Sequence, residues 1–405
     1  MIVVGAGFAG LAAAERLARE GAEVVVFEAR DRVGGRVHSR TLPNGAVVEM
    51  GAEFILPGNS VLKGLVDRFG LGLWSKGMRY GVRDPRDGPP VEAAVMQDAL
   101  ATVDSALADR PGERRPMSAV ALLDALEMDP GAREVILARV EISAANAADR
   151  VDASVLAGLA AHVADESPSV AGGNHRVALA LAAELGPSIR LGQAVDRIAW
   201  SDDGVHVATS RAEVQGDVAV VAIPASVFGR IHFDPPLPAA TRTALESTVY
   251  GQAAKLFVPL RETVPPSAVL SVPGRYWTWT ATGGAASVQP VVSAFAGSPS
   301  ALEALQVHRG PAAWLASLGR LRPELALDPE AAVLSRWDDD PWVRGAYSTA
   351  TPGRSHDALT RPIGPLHLCG EHTTDVFPAL MEGALRSGLR AAGDVLRGHH
   401  GAPRA

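Results

Sequence analysis

An α/β fold is predicted for this 405-residue chain from three adjoining features. Ile2-Val3-Val4 is a short apolar run suited to a buried parallel strand, and it passes straight into the glycine-rich turn Gly5-Ala6-Gly7-Phe8-Ala9-Gly10. An alanine-rich stretch with helical spacing follows from Leu11 to Arg19. A second apolar run, Val24-Val25-Val26-Phe27, then ends in Glu28, eighteen residues after Gly10. Strand, tight turn, helix, strand and acid in this order form a complete Rossmann-like βαβ unit of the kind that binds a dinucleotide.

Each part of the unit has a physical task. Gly5 permits the tight turn, Gly7 lets backbone N–H groups approach a pyrophosphate, and Gly10 lets the helix pack against the strand. The helix N-terminus offers partial positive charge to the phosphates, and the Glu28 carboxylate can accept hydrogen bonds from a ribose diol. Directly after it, Ala29-Arg30-Asp31-Arg32-Val33-Gly34-Gly35-Arg36 adds a second glycine pair flanked by guanidinium groups, which suit bidentate contact with phosphate oxygens. A nicotinamide site has no use for that addition.

From Glu28 to Arg36 the sequence resembles the flavin-containing, monoamine oxidase-like amine oxidase family, whose E-A-R-x-R-x-G-G-R hallmark it matches without a gap. The resemblance implies a Rossmann-like FAD-binding domain with an interleaved α+β substrate domain, and it covers most of the chain except about 76–116. Glu49-Met50-Gly51-Ala52-Glu53-Phe54 resembles the segment beside the isoalloxazine ring. Gly172-Gly173 and Val195 through Ile198 resemble the stretch that meets the adenine, and Asp217 to Pro224 resembles the strand that follows. Near the other end, Leu366-His367-Leu368-Cys369 reads as a last buried strand and Gly370 as its turn. Glu371 then matches the family's acidic contact to the ribityl or phosphate region. Pro378 suits the first turn of a helix. Amides around Met381-Glu382-Gly383-Ala384 would then face the pyrimidine edge of the ring and stabilise its reduced anion.

The cation at the ring is singled out by composition. Of 38 basic residues only Lys63, Lys76 and Lys255 are lysine, and Lys255 stands in the apolar strand-like run Ala253 to Val258. An unpaired charge there is costly, and arginine could not supply a compact ammonium. In the family, the lysine at this place holds a water against flavin N5. Trp337 and Pro341 to Tyr347 resemble the segment in which a tryptophan lines the flavin and a tyrosine forms one wall of an aromatic cage. Tyr347 and Phe54 are thus expected at the substrate. The facing wall has Leu380 where an aromatic is usual, which leaves the cage half built. Ala346 stands where some members carry a flavin-linking cysteine, so the FAD is expected to be non-covalent. The single cysteine, Cys369, reads as a core thiol.

The expected domains are an FAD-binding domain from 1–75, 165–227 and 345–398, a substrate-binding domain from 76–164 and 228–344, and a frayed tail at 399–405. Pro111-Gly112 and Pro130-Gly131 read as breaks in the helical part. Trp277 and Trp279 alternate on one strand face, where packing is favoured over lining a cavity. Asp338-Asp339-Asp340 reads as a solvated turn. No metal site is expected, because histidines are scattered and paired cysteines are missing.

Net charge of −7 argues against a nucleic-acid partner, and one cysteine rules out a disulfide framework. No apolar run approaches a membrane span, and the first strand begins at residue 2, so a cytoplasmic protein is expected. The resemblance implies oxidation of an amine C–N bond to an imine by hydride transfer to flavin N5, with O2 reoxidation giving H2O2. An FAD-dependent amino-acid oxidase, a C–C desaturase of the same fold and a non-catalytic flavin scaffold stay open. Glu53 offers an acid where the amino-acid version places an arginine, which favours a cationic or neutral amine.

Overall fold

In a computed structural model the described residues are 1–108, 116–157, 159, 166–283, 287–353 and 356–401. A five-stranded parallel sheet runs in the order Leu366–Leu368, Ala219–Val221, Ile2–Val4, Val25–Phe27, Ile189–Arg190. The first strand of the chain therefore lies one place from the last, with Ala219–Val221 between them. All three residues of Ile2–Val4 are buried, as parallel strands covered on both faces must be.

The helix Phe8–Arg19 follows the glycine turn and packs along the final helix, Met381–Gly401. Leu11, Leu17, Leu385, Ala391 and Val395 fill the seam. Two glycines set how closely these parts approach. A Cβ on Gly10 would lie 1.9 Å from the Gly5 carbonyl oxygen, and one on Gly388 would lie 2.1 Å from the Ala9 carbonyl oxygen. Both positions lack room for any side chain.

A four-stranded sheet, Glu213–Gly216, Gly204–Thr209, Val195–Ser201 and His232–Asp234, stands beside the parallel one. A six-stranded sheet runs Val333–Arg336, Ala253–Pro259, Val291–Gly297, Tyr276–Thr280, Ser267–Ser271, Asp84–Arg86. Every residue of Ala253–Pro259 is buried. The helices Ala93–Ala108, Ala119–Asp124 and Pro130–Ala144 gather on one side of it, where Val135, Ala138 and Ile142 meet Trp277 and Trp279. Those two tryptophans stack with centroids 4.2 Å apart and are packed, as their spacing suggested.

Three local expectations are corrected. The final helix starts at Met381 rather than near Pro378, because Phe377 and Ala379 adopt left-handed φ of 57° and 65° that no helix continues. That helix runs to Gly401, so the expected tail begins later; Gly398 and Gly401 weaken it without ending it sooner, and 402–405 lie outside the described residues. Pro130-Gly131 begins a helix instead of breaking one: Pro130 occupies its first turn and Asp129 Oδ1 accepts the Ala132 N–H at 2.9 Å. The expected break at Pro111-Gly112 lies outside the described residues.

Candidate active site

One elongated cavity, with about 1460 Å³ of empty space counting its mouth, runs from the ends of the parallel strands to the six-stranded sheet. At the strand ends, Gly34 donates its N–H to the Ala6 carbonyl at 2.8 Å, which lays the second glycine pair against the first turn. A Cβ on Gly7 would meet nothing within 4 Å, so the backbone there is open to the cavity. The Glu28 carboxylate is fixed by the N–H groups of Ala6 at 2.7 Å and Arg30 at 2.9 Å. Val195 borders the same end.

Arginines connect distant segments here. Arg30 pairs with Asp340 at 2.6 Å, and Asp340 also accepts the Trp342 N–H at 2.8 Å. Arg336 pairs with Asp338 at 2.7 Å. The run Asp338-Asp339-Asp340, expected as a solvated turn, is therefore a clamp on arginines brought to it by folding. Arg32 bonds the carbonyls of Val33 and Gly35.

Arg36 pairs with Glu371 at 2.7 Å, joining positions 335 apart. Glu371 further accepts Ser348 Oγ at 2.5 Å and the Ala379 N–H at 3.1 Å. Burial alone would raise the Glu371 carboxyl, but the Arg36 guanidinium, His372 and the Ser348 hydroxyl hold it below its ordinary value. Glu382, in the first turn of the final helix, accepts the N–H groups of Val61 and Leu62 at 3.0 Å each and so caps the helix Ser60–Arg68.

At the opposite end, Glu49 to Glu53 forms a spine from which the ring-side groups hang. Lys255 Nζ donates to the Glu49 carbonyl at 2.9 Å and to Glu53 Oε2 at 2.7 Å. Trp337 Nε1 donates to the Met50 carbonyl at 2.9 Å. Lys76 Nζ reaches the other Glu53 oxygen at 2.7 Å. Burial would raise Glu53, but Lys255 and Lys76 outweigh it and bring it down to about 2. Tyr347 donates its hydroxyl to the Ser143 carbonyl at 2.7 Å and presents its ring to the cavity, which Leu380 also borders.

A family model for flavin containing amine oxidoreductases matches residues 8–396. The chain belongs to the flavin-containing amine oxidoreductase family. It is 28% identical to a flavin-containing monoamine oxidase of Mycobacterium tuberculosis, over 98% of this chain and 96% of that protein. It is 26% identical to an L-amino acid dehydrogenase of Synechocystis, over 98% and 94%. A solved structure of putrescine oxidase bound to putrescine superposes with a TM-score of 0.80 at 25% identity, covering 98% of each chain.

A flavin amine oxidoreductase needs a cradle for FAD, and the residues present fit it. The cavity is continuous from Glu28, past the open Gly7 turn and Gly34-Gly35-Arg36, to the first turn of the helix Met381–Gly401. Gly5, Arg30, Gly51, Ala52, Trp337, Gly370, Glu371, Met381 and Ala384 also border it. The enzyme is an FAD-dependent oxidoreductase with non-covalent cofactor. Ala346 offers no thiol, and Cys369 is fully buried with its thiol pushed up to about 12 by burial.

Three residues expected at the amine oxidase cofactor stand back from the cavity wall. Gly10 packs the helix on the turn, as its crowded Cβ position requires. Glu53 is turned to its two lysines, and Phe54 lies in an aromatic cluster with Tyr80 at 5.0 Å and Trp277 and Trp279 at 5.6 Å. Conversely, Gln193, Arg230 and Trp342 line the cavity without having been singled out. Arg230 lies 5.0 Å over the Trp342 ring, a pairing across 112 positions that no local pattern announces. Among the described residues no cluster could hold a metal ion, and no described helix is long and apolar enough to cross a membrane.

Proposed function

We propose that this enzyme oxidises the C–N bond of a small amine to an imine and uses molecular oxygen as its terminal acceptor. FAD, when bound, supplies the two-electron acceptor that takes a hydride equivalent from the substrate α-carbon and gives H2O2 on reoxidation. The observation that carries the reading is the convergence of Lys255, Trp337 and Tyr347 on one end of the cavity. Lys255 keeps an ammonium there, its other bonds fixed by the Glu49 carbonyl and Glu53, and is assigned to assisting oxygen. Trp337 is anchored by the Met50 carbonyl and borders one side of the cavity; Tyr347 and Leu380 border the space for the amine.

Anaerobic mixing with a panel of amines tests this reading: bleaching of the flavin followed by peroxide release on admitting air is expected. Lys255→Met should retain FAD and bleach with substrate but reoxidise at least about tenfold more slowly, since one placed charge or proton donor is worth that much or more. An unchanged oxidative half-reaction would remove Lys255 from the mechanism.

A further inference from the structure

We propose that Lys76 acts through Glu53 and Lys255 to fix one net positive charge at the Lys255 end of the cavity, and so raises the flavin potential and speeds the reaction of the reduced enzyme with oxygen. The inference rests on the role given to Lys255 above and adds a positioning residue to it. Lys76 opens the stretch 76–116, where the sequence has no family match, and neither it nor Glu53 borders the cavity; Lys255 does.

Lysine is scarce in this chain, yet two of its three lysines meet on one carboxylate. Lys255 Nζ lies 2.7 Å from Glu53 Oε2, and Lys76 Nζ lies 2.7 Å from Oε1. The side chains of Lys255, Glu53 and Lys76 are 8%, 4% and 11% exposed, so dissolved salt screens them little. Each member is held in place. The Glu53 carbonyl accepts Ser169 Oγ at 3.1 Å and Asn174 Nδ2 at 2.7 Å. The Lys76 carbonyl accepts the Thr282 N–H at 2.9 Å, and the Ser75 carbonyl before it accepts the Thr282 hydroxyl at 2.6 Å. Lys255 belongs to the fully buried strand Ala253–Pro259 and also donates to the Glu49 carbonyl.

The charges decide what the group does. Lys255 and Glu53 alone would cancel; with Lys76 the three carry one positive charge. Glu49, the other acid of the segment, is turned to the Ser39 hydroxyl and the Asn174 N–H at 2.7 Å each, and burial raises its carboxyl above the ordinary value. Glu53 does not carry protons between the lysines: against the burial that would raise it, Lys255 and Lys76 hold it at about 2, so it stays ionised at neutral pH. The group is a fixed charge rather than a relay. Reduction of a flavin and reduction of oxygen both build negative charge, and a preorganised cation at the cavity wall favours each.

The test needs no amine. Holoenzyme is titrated anaerobically with dithionite beside a reference dye to give the two-electron potential, and the stoichiometrically reduced enzyme is mixed with aerated buffer to give the reoxidation rate. A unit charge about 10 Å from an anion, at an effective dielectric of about 20, changes its stability by roughly tenfold. Lys76→Met is therefore expected to lower the potential by about 30 mV, the two-electron equivalent of tenfold, and to slow reoxidation by about tenfold with FAD still bound. A lower potential by itself would speed electron transfer to oxygen, so the two changes together separate a lost charge from a loosened site. Lys76→Arg, which keeps the charge, should restore both. If Lys76→Met fails to fold, Lys76→Gln, which keeps a donor toward Glu53, carries the same expectation. An unchanged potential and reoxidation rate in the flavin-loaded variant would overturn the role of Lys76, as would Lys76→Arg behaving like Lys76→Met. If Lys255→Met reoxidises normally, the oxygen role of Lys255 falls, whereas a lowered potential in Lys76→Met would still support the fixed charge.

Discussion

Glu53 shows how far a single residue was legible. Its position beside the flavin segment follows from Glu49 to Phe54, but its partners lie 23 and 202 positions away, so its role as a counter-ion could not be read from neighbours. A carboxyl held near 2 instead of 4.5 contributes about 3 kcal/mol to stability. The folded value is depressed, so this contribution is full above the unfolded value and disappears as pH falls from 4.5 through 2. Glu53→Gln should therefore destabilise the protein at pH 7 and flatten its acid unfolding between about pH 5 and 2. Denaturant titrations across that range check it: equal pH slopes for both proteins would show that the ion pairs contribute nothing. Arg83 illustrates the reverse limit. It lies in the stretch with no family match, and only the folded chain reveals a guanidinium stacked on Trp277 with two bare donors.

At the scale of elements, the glycine turn and its helix were legible because all their determinants lie within thirty residues: apolar strand, glycines, helical spacing, acid. The last helix was legible as a pattern but not in its start, since left-handed Phe377 and Ala379 give no signal that proline and alanine letters reveal. The seam between the two helices depends on Gly388, whose added Cβ would press to 2.1 Å from the Ala9 carbonyl oxygen. Alanine is the better helix former by about 1 kcal/mol, yet overpacking against a backbone oxygen costs about 1–3 kcal/mol. Gly388→Ala is expected to lower the thermal midpoint and weaken FAD retention, because Ala9 lies in the glycine-rich segment that borders the cavity. A raised midpoint would mean that propensity outweighs the clash and that the seam is slack.

For the whole molecule, the sheet order explains why a site can be built from both ends of the chain. Ala219–Val221 pairs with the first strand on one side and the last on the other, so the turns at Gly5 and Gly370 open toward the same cavity. The cofactor half was readable because each contribution is a compact motif. The opposite half was less so, because its six-stranded sheet recruits Asp84–Arg86 to pair with Ser267–Ser271, a join that alternation alone does not encode. Arg36 and Glu371 then lock the two ends across the cavity. Removing one partner of such a buried pair leaves the other uncompensated, which costs about 3–5 kcal/mol. Glu371→Gln should therefore shed flavin on gel filtration, with FAD affinity down at least about tenfold, and lose most of the stabilisation that added FAD confers on the parent. Glu371→Asp, which keeps the charge, should recover part of the affinity. If Glu371→Gln holds FAD as tightly as the parent, the two chain ends are not coupled through this pair, and the cradle must be closed by the Met381–Gly401 helix alone.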